Sequence, residues 1–570
     1  MLTTHFVAIS FYFCVLLQDG NSLRFVDEKN QRPELQLILN DGIVQGKKMF
    51  TEQLGEPYYG YLGIPYAKPP VGNLRFSNPV QNEKWSGVLQ ATHEGNTCTQ
   101  DTEIIFHIGS EDCLYVNVFT KQSPSVAIKS LQPVTVFIYG GGWKFGQSNQ
   151  TVYGPDYLLE QDVIVVTFNY RVGVFGFLST DDMSSPGNYG LKDQIEVLKW
   201  IRRNIRNFGG DPNSVTIFGE SAGAASVSYL MLAPKAKGLF HRAISFSGSS
   251  LCPWALSRNP LQITYAVATA AGVIEPRTKN LVKRLRKLDY DFLHFAERSA
   301  MLLDSINPMN GLSFAPTIEP DHPDAVLSRG PLEMLKEASL GSVPFITGFN
   351  SLEGAVFQYI LDFLRPLFLS YEMPQRLIPS DLNIPTFHPD EITVGNKIKN
   401  FYFGLDPLAV ANKTQILHFI SDNQFLKGII EEAKLRGKKA PTYLYQFSYQ
   451  GDLGHFLDNQ LRQVNGVAHS EELWYVFKNE DQRASHKNDI AVRKMFVKIL
   501  SNFVKTGNPT PIKDLELQNL VWPEMLAGNG DLNFLDIDKK LSVKQNPRKS
   551  AMEFWNEIYK DYGRRPYTTY

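Results

Sequence analysis

Val215-Thr216-Ile217-Phe218-Gly219-Glu220-Ser221-Ala222-Gly223 runs from a β-branched apolar stretch straight into a Gly-x-Ser-x-Gly pattern. Val215 to Phe218 reads as a buried strand, and Val227, Leu230 and Leu232 continue beyond the pattern at helical spacing. A serine that turns the chain sharply from strand to helix is held in a strained bend. Flanking glycines allow the backbones to approach closely, and the hydroxyl projects above the sheet. The helix N-terminus behind it favours negative charge on a nearby oxygen. Alone the five-residue pattern is weak, because Gly and Ser are common residues. Its position between a strand and a helix makes Ser221 the candidate nucleophile.

Upstream of the serine, Leu191, Ile195, Leu198, Ile201, Ile205 and Phe208 recur at a helix period, and Gly209-Gly210-Asp211-Pro212 stops that helix. Val134 to Ile138 and Val163 to Phe168 are unbroken apolar runs of the kind that strands buried on both faces require. Further strand-like runs cover Ala243 to Phe246, Val343 to Gly348 and Thr442 to Tyr449. Strands alternating with helices predict the α/β class, with a large, mostly parallel central β-sheet flanked by helices. No repeat or low-complexity tract interrupts residues 23–570, which read as one continuous catalytic domain.

A serine hydroxyl is a poor nucleophile at neutral pH unless a histidine takes its proton and a carboxylate orients that histidine. In serine enzymes of this strand-to-helix kind the partners follow in the order serine, acid, histidine. Glu353 stands in Asn350-Ser351-Leu352-Glu353-Gly354, a loop after a predicted strand, and is the acid candidate. Five histidines follow it: His388, His418, His455, His469 and His486. His469, between the strand Thr442 to Tyr449 and the helical Leu473 to Phe477, is favoured over His455, which lies in a similar glycine-bearing loop. Acyl transfer also needs preorganised donors for an oxyanion. Tyr139-Gly140-Gly141-Gly142-Trp143 follows the strand Val134 to Ile138, so the N–H groups of Gly141, Gly142 and Ala222 are the candidate donors.

The 570 residues carry 57 basic and 58 acidic side chains, a formal charge of −1. That leaves no strong field to recruit nucleic acid or an anionic membrane, and favours a small neutral ligand. Phe6 to Leu17 is an apolar run followed by small and polar residues, as in a secretory signal peptide over residues 1–22. At about 12 residues it is too short to span a bilayer, which takes about 20, so no membrane anchor is expected. Export to the extracellular space follows. Cys14 would leave with the signal; of the other three, Cys98 and Cys113 close a short loop and are the favoured pair, with Cys252 a buried thiol. Sequence alone leaves the pairing open. Sequons at Asn149 and Asn412 would be glycosylated if exposed. No metal-ligand cluster and no phosphate loop stands out, so neither metal nor organic cofactor is expected.

Phe208-Gly209-Gly210, Val215, Ile217 and Gly219 to Gly223 together reproduce the active-serine signature of the type-B carboxylesterase and cholinesterase family. Glu111-Asp112-Cys113-Leu114-Tyr115-Val116-Asn117-Val118 matches its second signature, with Lys121 departing from the usual residue. Gly63-Ile64-Pro65-Tyr66-Ala67 and Thr506-Gly507-Asn508-Pro509 are further landmarks, so the resemblance covers nearly the whole mature chain. It implies the α/β-hydrolase fold, serine ester hydrolysis, Glu353 and His469 as the triad's acid and base, and Cys98–Cys113 as the first disulfide. The chain is most similar to insect carboxylesterases. Cholinesterases carry a choline-stacking tryptophan in that disulfide loop, and residues 99–112 contain none. Juvenile hormone esterases usually have glutamine before the serine, where Glu220 stands here. Leu312 and Phe314 are the candidates for the acyl side of a substrate pocket. The rivals are a juvenile hormone esterase, a protein that sequesters esters without turnover, and a protease. A neutral-histidine base would make activity fall below about pH 6 to 7.

Overall fold

The computed structural model describes residues 35–51, 54–102, 106–124, 128–304, 311–337, 342–357, 372–404, 412–454, 464–480, 486–527 and 530–570. The signal segment and His455 lie outside the described residues.

An eleven-stranded sheet organises the chain. Its strands are β1 (Lys47–Phe50), β2 (Pro57–Pro65), β3 (Tyr115–Thr120), β4 (Gln132–Ile138), β5 (Ile164–Phe168), β6 (Gly210–Glu220), β7 (Arg242–Phe246), β8 (Phe345–Asn350), β9 (Thr442–Phe447), β10 (Asn533–Ile537) and β11 (Ser542–Gln545). They lie in the order β11-β10-β9-β8-β7-β6-β4-β5-β3-β2-β1. From β5 across to β10 every pairing is parallel, and both edges are antiparallel. Every residue of β5 and every residue of β8 is buried, as their unbroken apolar runs demand.

The helices that matter for the site are α1 (Gly173–Phe177), α2 (Tyr189–Asn204), α3 (Ala222–Leu232), α4 (Tyr290–Asp304), α5 (Lys427–Gly437) and α6 (Lys487–Thr506). All eleven residues of α3 are buried, consistent with a segment that is small or apolar all round. It packs against β6 and β7, directly beneath the turn that carries Ser221. The helical period that begins near Leu191 is α2 as far as Asn204; it then tightens into a 3₁₀ turn, Ile205–Phe208, and ends at Gly209 with φ 85°. Strand β8 begins two residues later than its apolar run, because Pro344 has no N–H to give to a ladder. The helical reading of Leu473 to Phe477 becomes a 3₁₀ turn, Glu471–Tyr475. Phe137, Phe218 and Phe477 stack at centroid distances of 4.5–5.9 Å, joining β4 and β6 to the segment after the histidine loop.

Candidate active site

Parallel β4, β6, β8 and β9 all run their C-terminal ends to one edge of the sheet, and the loops leaving these ends carry the candidate groups. Ser221 sits between β6 and α3 with φ 56° and ψ −123°, a conformation that costs about 1–3 kcal/mol for a residue other than glycine. The two glycines of the motif make the bend sterically feasible. A Cβ on Gly219 would stand 2.2 Å from the Gly223 carbonyl oxygen, and a Cβ on Gly223 would stand 2.0 Å from that of Ile138. The strain is held by backbone on both sides, with the Ser221 N–H donating to Phe246 O at 2.9 Å. Ser221 itself is half-buried while its neighbours in α3 are fully buried, so its hydroxyl can be reached.

Glu353 and His469 are brought together by a zipper between the loops after β8 and β9. Leu352 N–H donates to Val467 O at 3.0 Å, Val467 N–H to Ser351 Oγ at 2.9 Å, and Asn350 Nδ2 to Ala468 O at 2.7 Å. One carboxylate oxygen of Glu353 accepts the Asn350 N–H at 2.7 Å, and the other lies 2.7 Å from His469 Nδ1. His469 Nε2 lies 2.8 Å from Ser221 Oγ. With Nδ1–H donating to Glu353, Nε2 is left as the acceptor for the serine proton. Both groups are at most 2% exposed, so the carboxylate is fixed by hydrogen bonds rather than by water.

Two further carboxyls crowd the imidazole. Glu220 Oε1 is 3.4 Å from His469 Nε2 and accepts a short hydrogen bond from Ser470 Oγ. Glu472 accepts from Ser247 Oγ at 2.9 Å and, at short range, from Asn350 Nδ2. Burial alone would lower the imidazole's pKa. Glu220, Glu353 and Glu472 outweigh it and raise His469 to about 9. Burial also pushes Glu220 up, and burial followed by Glu353 and Glu220 pushes Glu472 up to about 8. Sequence reading did not single out Glu472; its signal was position, three residues after the histidine in the same loop.

The triple glycine follows β4. Gly141 and Gly142 have φ 93° and 62°, which turns their N–H groups where an ordinary residue would not. A Cβ on Gly140 would sit 2.8 Å from Ser221 Cβ, so the loop lies against that serine. Among the described residues, the N–H groups of Gly141, Gly142 and Ala222 donate to no protein acceptor. Trp143 fastens the loop to α3 through Nε1–H donating to Ser226 Oγ at 2.9 Å. The side chain of Gln100 clamps the far end, receiving the Gly146 N–H at 2.7 Å and donating to Gly146 O at 2.8 Å.

An apolar wall joins the histidine to this loop. Phe425 lies 4.7 Å from the His469 ring, Trp254 5.9 Å from Phe425, and Trp143 5.7 Å from Trp254. Leu312 N–H donates to Trp254 O at 3.2 Å, and a Cβ on Gly142 would stand 3.5 Å from Leu312 Cδ1. Phe314 is buried in the main core. Cys98 and Cys113 form a disulfide, and Cys252 is a free buried thiol pushed up by burial, which makes it inert. Asn412 is exposed and caps the helix Lys413–Ile420, and Asn149 is half-buried. No described helix is long and apolar enough to cross a membrane.

Residues 32–555 match the model of the carboxylesterase family. A juvenile hormone esterase of Tribolium castaneum is 36% identical, over 90% of this chain and 91% of its own. Esterase FE4 of Myzus persicae is 34% identical, over 84% and 85% respectively. The crystal structure of juvenile hormone esterase from Manduca sexta with OTFP covalently attached is 31% identical, with a TM-score of 0.81, and covers 92% of this chain and all of that one. The chain therefore belongs to the carboxylesterase family, and it is a carboxylic ester hydrolase with the α/β-hydrolase fold.

Proposed function

We propose that Ser221 is the nucleophile, His469 the general base and Glu353 the residue that orients it, acting on small neutral or lipophilic esters. One observation carries this reading: a single imidazole stands 2.8 Å from the serine hydroxyl and 2.7 Å from a buried carboxylate. Ser221 Oγ attacks the ester carbonyl as its proton passes to His469 Nε2. The N–H groups of Gly141, Gly142 and Ala222 receive the oxyanion, and the imidazolium returns the proton to the departing alcohol. Water, deprotonated by the same histidine, then attacks the acyl-serine; the acid leaves and the serine recovers its proton. Apart from the ester and water, each group in this cycle is a side chain or backbone N–H of the chain itself.

The apolar wall of Phe425, Trp254 and Leu312 supports an uncharged substrate, with Leu312 and Phe314 on the acyl side. Residues 1–22 serve as a signal peptide, 23–570 form one catalytic domain, and the protein acts outside the cell with glycans at Asn149 and Asn412. A juvenile hormone ester is the second reading, favoured by relatives named for that activity. Glu220 in place of the usual glutamine weighs against it.

A series of p-nitrophenyl esters of increasing acyl length tests the proposal. A burst followed by steady turnover, with kcat/KM rising with chain length, is expected, together with no cleavage of the matching anilides. A burst that stalls at one equivalent would identify a sequestering protein instead, and rapid anilide cleavage a protease.

A further inference from the structure

We propose that Asp101, His294 and Glu297 bind a divalent first-row transition-metal ion, which ties the disulfide loop to α4 and braces the Gly140–Gly146 loop beside Ser221. The three side chains converge from separate parts of the chain. Asp101 lies in the loop closed by Cys98 and Cys113, whereas His294 and Glu297 occupy one face of α4 at i and i+3. All three are buried, and their ligand atoms lie within 4.8 Å of one another.

Their polar atoms are orphaned in a way that an ion would resolve. Neither carboxylate oxygen of Asp101 has a hydrogen-bond partner, nor does His294 Nδ1. Nδ1 faces Glu297 Oε2 at 3.3 Å and Asp101 Oδ1 at 3.7 Å, without hydrogen-bond geometry to either. Two ligands of one tetrahedral zinc ion, each at about 2.0–2.2 Å, stand about 3.4 Å apart. The remaining bonds suit metal ligands. Thr99 Oγ1 lies 2.7 Å from His294 Nε2, so Nε2–H can donate there and leave the Nδ1 lone pair turned towards the carboxylates. Glu297 Oε1 accepts the Val174 N–H at 3.0 Å, which leaves Oε2 for the ion. Arg298 Nε, 3.6 Å from Asp101 Oδ2, is half-exposed and offsets only part of the charge. One imidazole and two carboxylates suit zinc, manganese or iron rather than calcium, which takes oxygen ligands alone.

The path to the catalytic loop is short. Gly173 N–H, next to the Val174 that Glu297 holds, donates to Trp143 O at 2.6 Å, and Gln100, next to Asp101, clamps Gly146. An ion at this site would fix both attachments at once. The motif is invisible in sequence, because only His294 and Glu297 are close along the chain.

Full-length protein stripped with chelator and dialysed, then titrated with zinc chloride at about pH 7, tests the site by calorimetry and by melting temperature. One zinc per chain and a melting temperature that rises with zinc are expected, with binding lost in Asp101→Asn and in His294→Gln while ester turnover without metal persists. No uptake by the unmodified protein overturns the proposal, as does uptake that both variants retain. Should either variant fail to fold, X-ray absorption at the zinc edge of the loaded unmodified protein reads the ligands directly. Nitrogen and oxygen ligands with a single imidazole are expected, and two or more imidazoles would overturn the assignment.

Discussion

Replacing Glu220 with glutamine removes a negative charge 3.4 Å from His469 Nε2 while keeping an acceptor for Ser470 Oγ. At an effective dielectric of about 20, a unit charge at that distance is worth about 5 kcal/mol. Burial pushes the Glu220 carboxyl up, and Glu353 and Glu472 also hold the imidazole, so the loss on substitution is smaller than that full-charge figure. Each pH unit by which the imidazole's pKa falls corresponds to about 1.4 kcal/mol of this loss, and a fall of at least one unit is expected. The sign follows from the pull. Glu220 favours the imidazolium, which cannot act as base, so its loss moves the acid limb of kcat/KM to lower pH. The alkaline plateau falls about tenfold, because the imidazolium formed during attack also loses its partner. Profiles of kcat/KM with a p-nitrophenyl ester between about pH 5 and 10 read both effects. An inflection unchanged by the substitution would refute the claim that Glu220 sets the pH range of His469.

Glu353→Gln keeps the acceptor for Asn350 N–H but can hold the wrong imidazole tautomer, and should lower kcat about 10³- to 10⁴-fold with little change in KM. Gly141→Ala places a Cβ 2.2 Å from the Phe145 carbonyl oxygen at φ 93°, so the loop must shift; steady-state kinetics should show kcat about 100- to 1000-fold lower, while burst labelling of the serine slows in parallel. Opening the Cys98–Cys113 bridge, which spans 15 residues, with a double serine variant should cost about 3 kcal/mol of stability, read as a lower denaturant midpoint.

The serine turn and the central strands were legible because their physics is local. A strand buried on both faces must be apolar throughout, and a strained bend must be flanked by glycine, so Val215 to Gly223 announces itself. The histidine was less legible: His469 and His455 stand in similar glycine-bearing stretches of sequence. What places His469 is the zipper of Leu352, Val467 and Asn350, a pairing of distant groups that no local pattern encodes. The raised pKa of His469 was also hidden, because it arises from three carboxyls that meet only when β6, β8 and the loop after β9 converge. Glu220 was visible as a residue type beside the serine, but its position within reach of the imidazole was not. The cluster of Asp101, His294 and Glu297 escaped for the same reason.

Covalent labelling with an organophosphate, followed by peptide mapping, tests whether Ser221 is the nucleophile. One adduct per chain is expected, on the peptide containing Ser221, together with complete loss of labelling and of ester turnover in Ser221→Ala. An adduct on any other residue, or labelling that survives the substitution, would contradict it.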